Sequence, residues 1–280
     1  MGAIALRPAR DARVLTRTRR SSSAAGSRIG GVCGARMARC TLELGGKSAA
    51  ILLDDFPTEA AAKLLAGTIA VMSGQVCAML SRAIVPRARH DALAEAIAAE
   101  MKKVQVGDPN APETQMGPLA MKRQLARVQD YIGKGRAEGA DLVTGGGRPS
   151  HLNRGYYLEP TLFANVDNGS TIAREEIFGP VLSLIPCEDE ADAIRIANDS
   201  AYGLNGSVLT HDADAAWRVA RAMRTGCVGQ NGMRADFSLP FGGFKRSGIG
   251  REGGVEGLTN YTELKTILLD AIPSSWNQER

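Results

Sequence analysis

Four short stretches hold residues whose types and spacing could do chemistry. SGQVCAMLSR, residues 73–82, sets Cys77 behind Gly74 and Gln75, with Arg82 five residues on. A cysteine in such a place is either a small buried hydrophobe or a thiolate nucleophile, and the residues alone leave both open. LELGGKSA, residues 42–49, sets Glu43 before Gly45, Gly46 and an apolar run. Paired glycines beside a strand mark a tight turn or a close backbone approach. Glu43 is then either a solvated loop residue or a carboxylate held beside a reacting centre. EEIFGPV, residues 175–181, puts Glu175 and Glu176 before Phe178 and a Gly-Pro turn; by itself it reads as a solvated acidic pair. LPFGGFKRSGIGREGG, residues 239–254, contains Gly248, Gly250 and Gly253 at the spacing of a dinucleotide fingerprint. That fingerprint must follow a strand and open a helix within a βαβ unit. Pro240 and two glycines precede this one, so a glycine-rich loop is expected instead.

The elements around these stretches set where they can stand. Residues 48–53 (SAAILL) read as an apolar strand, and residues 58–73 as a helix with Leu64, Leu65, Thr68, Ile69 and Met72 at helical period. Cys77 follows that helix directly, and residues 83–85 read as the next strand. Helices are expected around Leu93–Val104 and Met121–Ile132, a strand running into a glycine turn in DLVTGGG (141–147), and strands in GSVLT (206–210) and CVGQN (227–231). EADAIRIAND (190–199) and ADAAWRVARAM (213–223) read as further helices. Strands alternating with helices in this way argue for an α/β fold, an open, mostly parallel twisted sheet with helices on both faces. The tail NYTELKTILLD alternates loosely and is expected to form an edge strand.

Composition narrows the function classes. With 44% hydrophobic and 23% charged residues, the 280-residue chain reads as an ordinary globular protein, and no apolar run approaches a membrane span. Five cysteines at irregular spacing, with no CxxC pair, signal neither a zinc site nor a disulfide framework. A reducing, cytoplasmic setting is expected, with no metal, since His90, His151 and His211 stand far apart and form no ligand pair. Residues 1–40 carry nine arginines against Asp11 and sum to +8; the remaining 240, against a whole-chain +4, sum to −4. A mildly acidic body gives no case for a nucleic-acid partner. The basic head admits three readings: a transit peptide, a disordered basic arm, or the product of a misplaced start or frameshift.

Taken together, LELGGKS, GQVC, EEIFGPV and PFGGFKRSGIGRE, in this order, resemble the aldehyde dehydrogenase superfamily over about residues 24–270. YGLNGSVLT and GCVGQN are similar to its interior segments. The resemblance implies oxidation of a small-molecule aldehyde with NAD or NADP. Cys77 would be the nucleophile that forms a thiohemiacetal and then a thioester. Glu43 would be the general base that activates water, and the Cys77 amide N–H would help to hold the oxyanion. Glu176 matches the residue that bonds the nicotinamide ribose, Phe178 the aromatic beside the nicotinamide, and Gly45 the point where the backbone passes the cofactor. The other cysteines are expected to be structural.

The resemblance also implies a division: a basic head at 1–23, a remnant of the cofactor-binding domain at 24–45, a catalytic domain at 46–245, and a C-terminal return and oligomerisation segment at 246–280. SSSAAG, residues 21–26, stands where the family has G-S-T-x-x-G, with Ser21 in place of the first glycine. Before it the match ends, so most of the cofactor domain is expected to be absent. This favours the frameshift reading of the head and a truncated chain with little NAD-dependent turnover alone. Rival readings are a thiol esterase that needs no NAD, a fragment that docks onto complete homologues or forms a homo-oligomer, and an unstable gene remnant. Met79 and Leu80 stand where the family has small residues, and such bulk costs ~1–3 kcal/mol in a close-packed segment. Gln230 is polar where the family is commonly apolar.

Overall fold

A computed structural model of the chain describes residues 22–234, 236 and 238–271. All of the predicted basic head but Ser22 and Ser23 lies outside them. The elements in chain order are α1 (Ser23–Ala35), β1 (Leu42–Glu43), β2 (Ser48–Leu52), α2 (Thr58–Ala70), β3 (Leu80–Pro86), α3 (Arg87–Lys103), α4 (Lys122–Ala137), β4 (Asp141–Thr144) and β5 (Thr161–Ala164). They continue with α5 (Thr171–Arg174), β6 (Val181–Cys187), α6 (Glu190–Asn198), β7 (Asn205–Leu209), α7 (Ala213–Ala222), β8 (Cys227–Gln230), β9 (Gly248–Ile249) and α8 (Gly254–Thr259).

Seven strands make one sheet in the order β4-β5-β6-β3-β2-β7-β8. All neighbours are parallel except the edge pair β4–β5. The α/β fold is therefore the one the alternation implied. Strand periodicity divides the core in two. Ala49, Ile51, Ile84, Val181, Ile185 and Val208 pack on one face, against Val128, Ile132, Ile196 and Val219 of α4, α6 and α7. Ala50, Leu52, Ala83, Val85, Leu184 and Leu209 pack on the other, against Leu65, Ile69, Leu93 and Ile97 of α2 and α3. Neighbouring residues of one strand point to opposite faces, so SAAIL, apolar throughout, serves both cores. Met79 and Leu80 are buried in the second core, and their bulk is absorbed there. Gln230 donates through Nε2 to the Thr210 carbonyl at 2.9 Å, which explains how a polar side chain is held there.

The tail departs from expectation: residues 262–271 form no strand in this single chain. Leu264 and Leu268 are almost wholly exposed there. An edge strand needs a neighbour's N–H and C=O groups, and among the described residues no strand pairs with this segment. The glycine-rich loop behaves as expected. Its residues enter a two-residue strand, β9, which pairs antiparallel with β1 and places Glu43 opposite Gly248. Among the described residues no helix is long and apolar enough to cross a membrane, and no group of His, Cys, Asp and Glu is arranged to hold a metal ion.

Arg82, in β3, knits the two halves of the sheet to α6. Fully buried, it donates to the carbonyls of Lys47, Ile196 and Ala197 and to Asn168 Oδ1, all at 3.0–3.1 Å. Burial, and next the charge of Arg174, lower its pKa to about 10, so it stays charged at neutral pH. Replacement by methionine would leave three buried carbonyls without a donor, at 1–3 kcal/mol each before relaxation. Arg82→Met is therefore expected to lower the free energy of urea unfolding by about 3 kcal/mol or more, and a loss below about 1 kcal/mol would contradict this role.

Candidate active site

The sequence-predicted residues stand just before the strands of the parallel sheet. Glu43 to Lys47 lead into β2, Cys77 lies three residues before β3, and Glu176 and Phe178 lie just before β6. Because these three strands are adjacent and parallel, their preceding loops meet at one edge, the amino edge.

Gly45 and Gly46 are the point of convergence. The Gly46 N–H donates to Glu176 Oε1 at 3.1 Å. A Cβ at Gly45 would overlap the Glu176 carboxylate, and one at Gly46 would stand 2.5 Å from the Cys77 carbonyl oxygen. Only residues without side chains allow the carboxylate and the cysteine segment to close on the same two backbone units. Ser247 Oγ donates to the Gly45 carbonyl at 2.7 Å and accepts from the Gly203 N–H at 3.0 Å. The Leu44 N–H returns to the Ser247 carbonyl. The loop is thus pinned from the glycine-rich segment as well.

Cys77 is partly exposed and follows a turn of unusual backbone. Met72, Ser73 and Gly74 are all left-handed, at φ 49°, 56° and 71°. A left-handed conformation is costly for a residue with a Cβ and persists where its surroundings fix it. Ser73 Oγ donates to the Gly117 carbonyl at 2.8 Å, and Gln75 Oε1 accepts from the Ala120 N–H at 3.0 Å. Gly74 packs so closely on Gly179 that no Cβ fits between them, which joins the cysteine turn to the loop bearing Glu176 and Phe178. On the far side, Asn205 Nδ2 donates to the carbonyl of Ala78, the residue after the cysteine, at 3.1 Å.

Glu43 is 3% exposed, which removes the solvated-loop reading. Its Oε1 lies against Gly242, 2.8 Å from where a Cβ would stand, so its carboxylate faces the glycine-rich loop. Phe178 is exposed and left-handed, φ 60°, with its carbonyl accepting from Gln124 Nε2 at 2.6 Å. The structure therefore brings Gly45, Glu176 and the backbone of Cys77 into contact around one loop. Phe178 joins them through Gly179, and Glu43 stands two residues before Gly45 with its side chain turned toward the 242–250 segment.

Glu176 is pushed above the ordinary carboxylate range by burial, opposed by the Gly46 N–H and by the positive charges of Lys47 and Arg127. Its Oε2 accepts no hydrogen bond among the described residues, so one oxygen remains for a ligand hydroxyl. Lys47 was not singled out in the sequence, although it follows the paired glycines directly. It is 2% exposed, and among the described residues its Nζ has no hydrogen-bond partner. Together with Glu176 and Phe178 it lines a crevice of about 10 Å³, enough for one water. Burial, with Arg82 adding to it and Glu176 opposing it, lowers its pKa to about 7.

An open α/β sheet whose amino edge gathers a cysteine turn, a glycine-tight loop and two buried or half-buried carboxylates is the class that fold and site define. The chain belongs to the aldehyde dehydrogenase family, whose model matches residues 10–267. It is 46% identical over 230 residues to a putative aldehyde dehydrogenase of Staphylococcus haemolyticus, a match covering 82% of this chain and 48% of that one. It is 45% identical over 248 residues to the 3-succinoylsemialdehyde-pyridine dehydrogenase of a Pseudomonas species, covering 88% and 52%. The structure of a Mycobacterium tuberculosis aldehyde dehydrogenase complexed with NAD+ superposes with a TM-score of 0.87 at 48% identity, over 90% of this chain and 52% of that one. The chain spans about half the length of the relatives it matches.

Lys47 yields a test on stability alone. Its folded pKa, about 7, lies below its unfolded value of 10.5, so between those values the unfolded chain binds more protons and stability rises with pH. From pH 7 to pH 9 this amounts to a gain on the order of 2 kcal/mol. Lys47→Met is expected to abolish that gain in urea unfolding; a variant whose pH profile runs parallel to the parent's would refute the buried, displaced amine.

Proposed function

We propose that the chain carries the thiol chemistry of NAD(P)+-dependent aldehyde oxidation, with Cys77 as nucleophile and Glu43 as general base. The observation that carries this reading is the contact of Gly45 and Gly46 with both the Cys77 carbonyl and the Glu176 carboxylate. The backbone of the cysteine segment and a half-buried carboxylate close on one loop, which supports reading the Cys77 thiol and Glu176 as parts of one site. The Cys77 thiolate attacks the aldehyde carbonyl carbon, and the Cys77 N–H donates to the oxygen that becomes negative. A sulfur nucleophile also leaves well from an acyl group, which divides one hard step into two easier ones. Glu43, buried next to the glycine-rich loop, takes a proton from the water that releases the acid.

Glu176 Oε2, Phe178 and the backbone at Gly45 are the groups that would hold the nicotinamide end of NAD or NADP, and the free carboxylate oxygen fits a ribose hydroxyl. When bound, that group supplies the hydride acceptor. In this reading residues 46–245 form the catalytic domain and 24–45 belong to the cofactor-binding domain. The exposed Leu264 and Leu268 on the extended tail support assembly with a second copy or a complete homologue. A cytoplasmic setting suits a nucleophilic thiol, and all five cysteines are free.

Two variants test the reading. With an activated acetate ester, the purified chain is expected to give an acyl-enzyme on Cys77 by mass spectrometry, and Cys77→Ala to give none. Glu43→Gln is expected to acylate at an unchanged rate but to release acetate about 10²-fold or more slowly. Acylation that persists in Cys77→Ala, or release that is indifferent to Glu43→Gln, would overturn the assignment. Aldehyde-dependent reduction of NAD+ or NADP+, absent in Cys77→Ala, tests the redox half separately.

A further inference from the structure

Cys33 and Cys40 lie outside the site described above, one on each side of the reversal between α1 and β1. The helix ends at Ala35, and the N–H groups of Arg36 and Ala38 both return to the Cys33 carbonyl, at 3.1 and 2.9 Å. Met37, between them, is left-handed at φ 51°. This closure folds the chain back on Cys33 within five residues, and Cys40 follows two residues later, before β1 begins. The turn brings Cys40 near enough to Cys33 for the Cys33 thiol to act on its titration.

Two further facts bear on reactivity. Both residues are partly exposed, unlike Cys187, which is buried. Residues 22–40 carry three arginines, Arg28, Arg36 and Arg39, and no acid. Arg39 is paired with Glu263 at 2.7 Å, so access and proximity decide the reactivity: partly exposed thiols with a second thiol in reach have the character of oxidant-sensitive pairs.

We propose that Cys33 and Cys40 form a dithiol that peroxides oxidise to an intrachain disulfide across the α1–β1 turn. The Cys33 thiolate attacks a peroxide oxygen; the O–O bond breaks, hydroxide leaves and takes up a proton as water, and a sulfenic acid remains. Burial, then the charge and hydrogen bond of Cys33, raise the Cys40 thiol above its ordinary value, which fits it to the second role. Cys40 sulfur then attacks the Cys33 sulfur, the S–S bond forms, the S–O bond breaks and water leaves. Two thiols lose two protons and two electrons, and one hydrogen peroxide becomes two waters. The bond ties the end of α1 to the residue three before Glu43. A thiol pair reduced in ordinary conditions would thus take up oxidant that otherwise reaches Cys77.

The test uses the full chain. It is treated with hydrogen peroxide, its remaining thiols are blocked with iodoacetamide, and it is digested with trypsin without reduction. Cleavage after Arg28, Arg36, Arg39 and Lys47 yields IGGVCGAR (29–36) and CTLELGGK (40–47). The expected product is these two peptides joined by a disulfide, lost on reduction and absent from Cys33→Ser. In Cys40→Ser the sulfenic acid on Cys33 is expected to be captured by dimedone. Recovery of both peptides separately alkylated while Cys77 is oxidised would overturn the proposal. So would joined peptides drawn from different chains in a mixture of isotopically light and heavy protein.

Discussion

Two adjacent glycines at the entrance to β2 hold the arrangement together. Between them they present no side chain, and the space is taken on one side by the Glu176 carboxylate and on the other by the Cys77 backbone. The Glu176 carboxyl group is half-buried, so it needs a donor, and the Gly46 N–H supplies one. The lysine that follows brings a positive charge to the same crevice. Any Cβ in this segment would force apart groups that come from three separate strands. The remainder of the fold serves this contact: Ser247 fixes the loop from below, Asn205 fixes the residue after the cysteine, and Arg82 fixes the carbonyl of Lys47.

The site's position in the sheet is unusual for an open α/β domain. Ligands of such sheets generally lie beyond the carboxyl ends of the strands. Here the cysteine, the glycines and Glu176 all precede their strands. The carboxyl edge is instead closed by hydrogen bonds. Asp55 accepts from Thr210 Oγ1 and from the N–H groups of His211 and Asp212, and Arg89 donates to the carbonyls of Leu53, Asp54 and Phe56.

Much of this was legible in the residues. α2, α3, α6 and α7 stood out because their apolar spacing matched the helical period, and β2 as an unbroken apolar run. Each of the four chemically suggestive stretches occupies the edge where the site lies. β5 and β6 were not foreseen. TLFA is only four residues long, and VLSLIPC breaks its apolar run with Ser183 and Pro186, so neither alternates. Nor was α1 foreseen, since its glycines and serines give little amphipathic pattern and Gly26 is its one buried residue. The tail alternates, yet a strand is made by pairing, and nothing in one sequence shows whether a partner is present. The burial of Lys47 and Arg82 escaped notice for a related reason. A basic residue is read as solvated unless a neighbour in space explains its burial, and those neighbours, Glu176 and the carbonyls of α6, are more than a hundred residues away.

The closed carboxyl edge has a consequence for how such a chain can vary. Loops there are tied into the scaffold by Asp55 and Arg89, so lengthening them would tear out hydrogen bonds without touching a reacting group. Loops at the opposite edge, which hold the proposed reacting groups, are pinned as firmly at their turns, but side chains such as Met72 and Phe178 stand out from them into solvent. A framework of this kind could therefore vary in what its rim displays while both edges kept their loop lengths, much as a lock keeps its case and exchanges its wards.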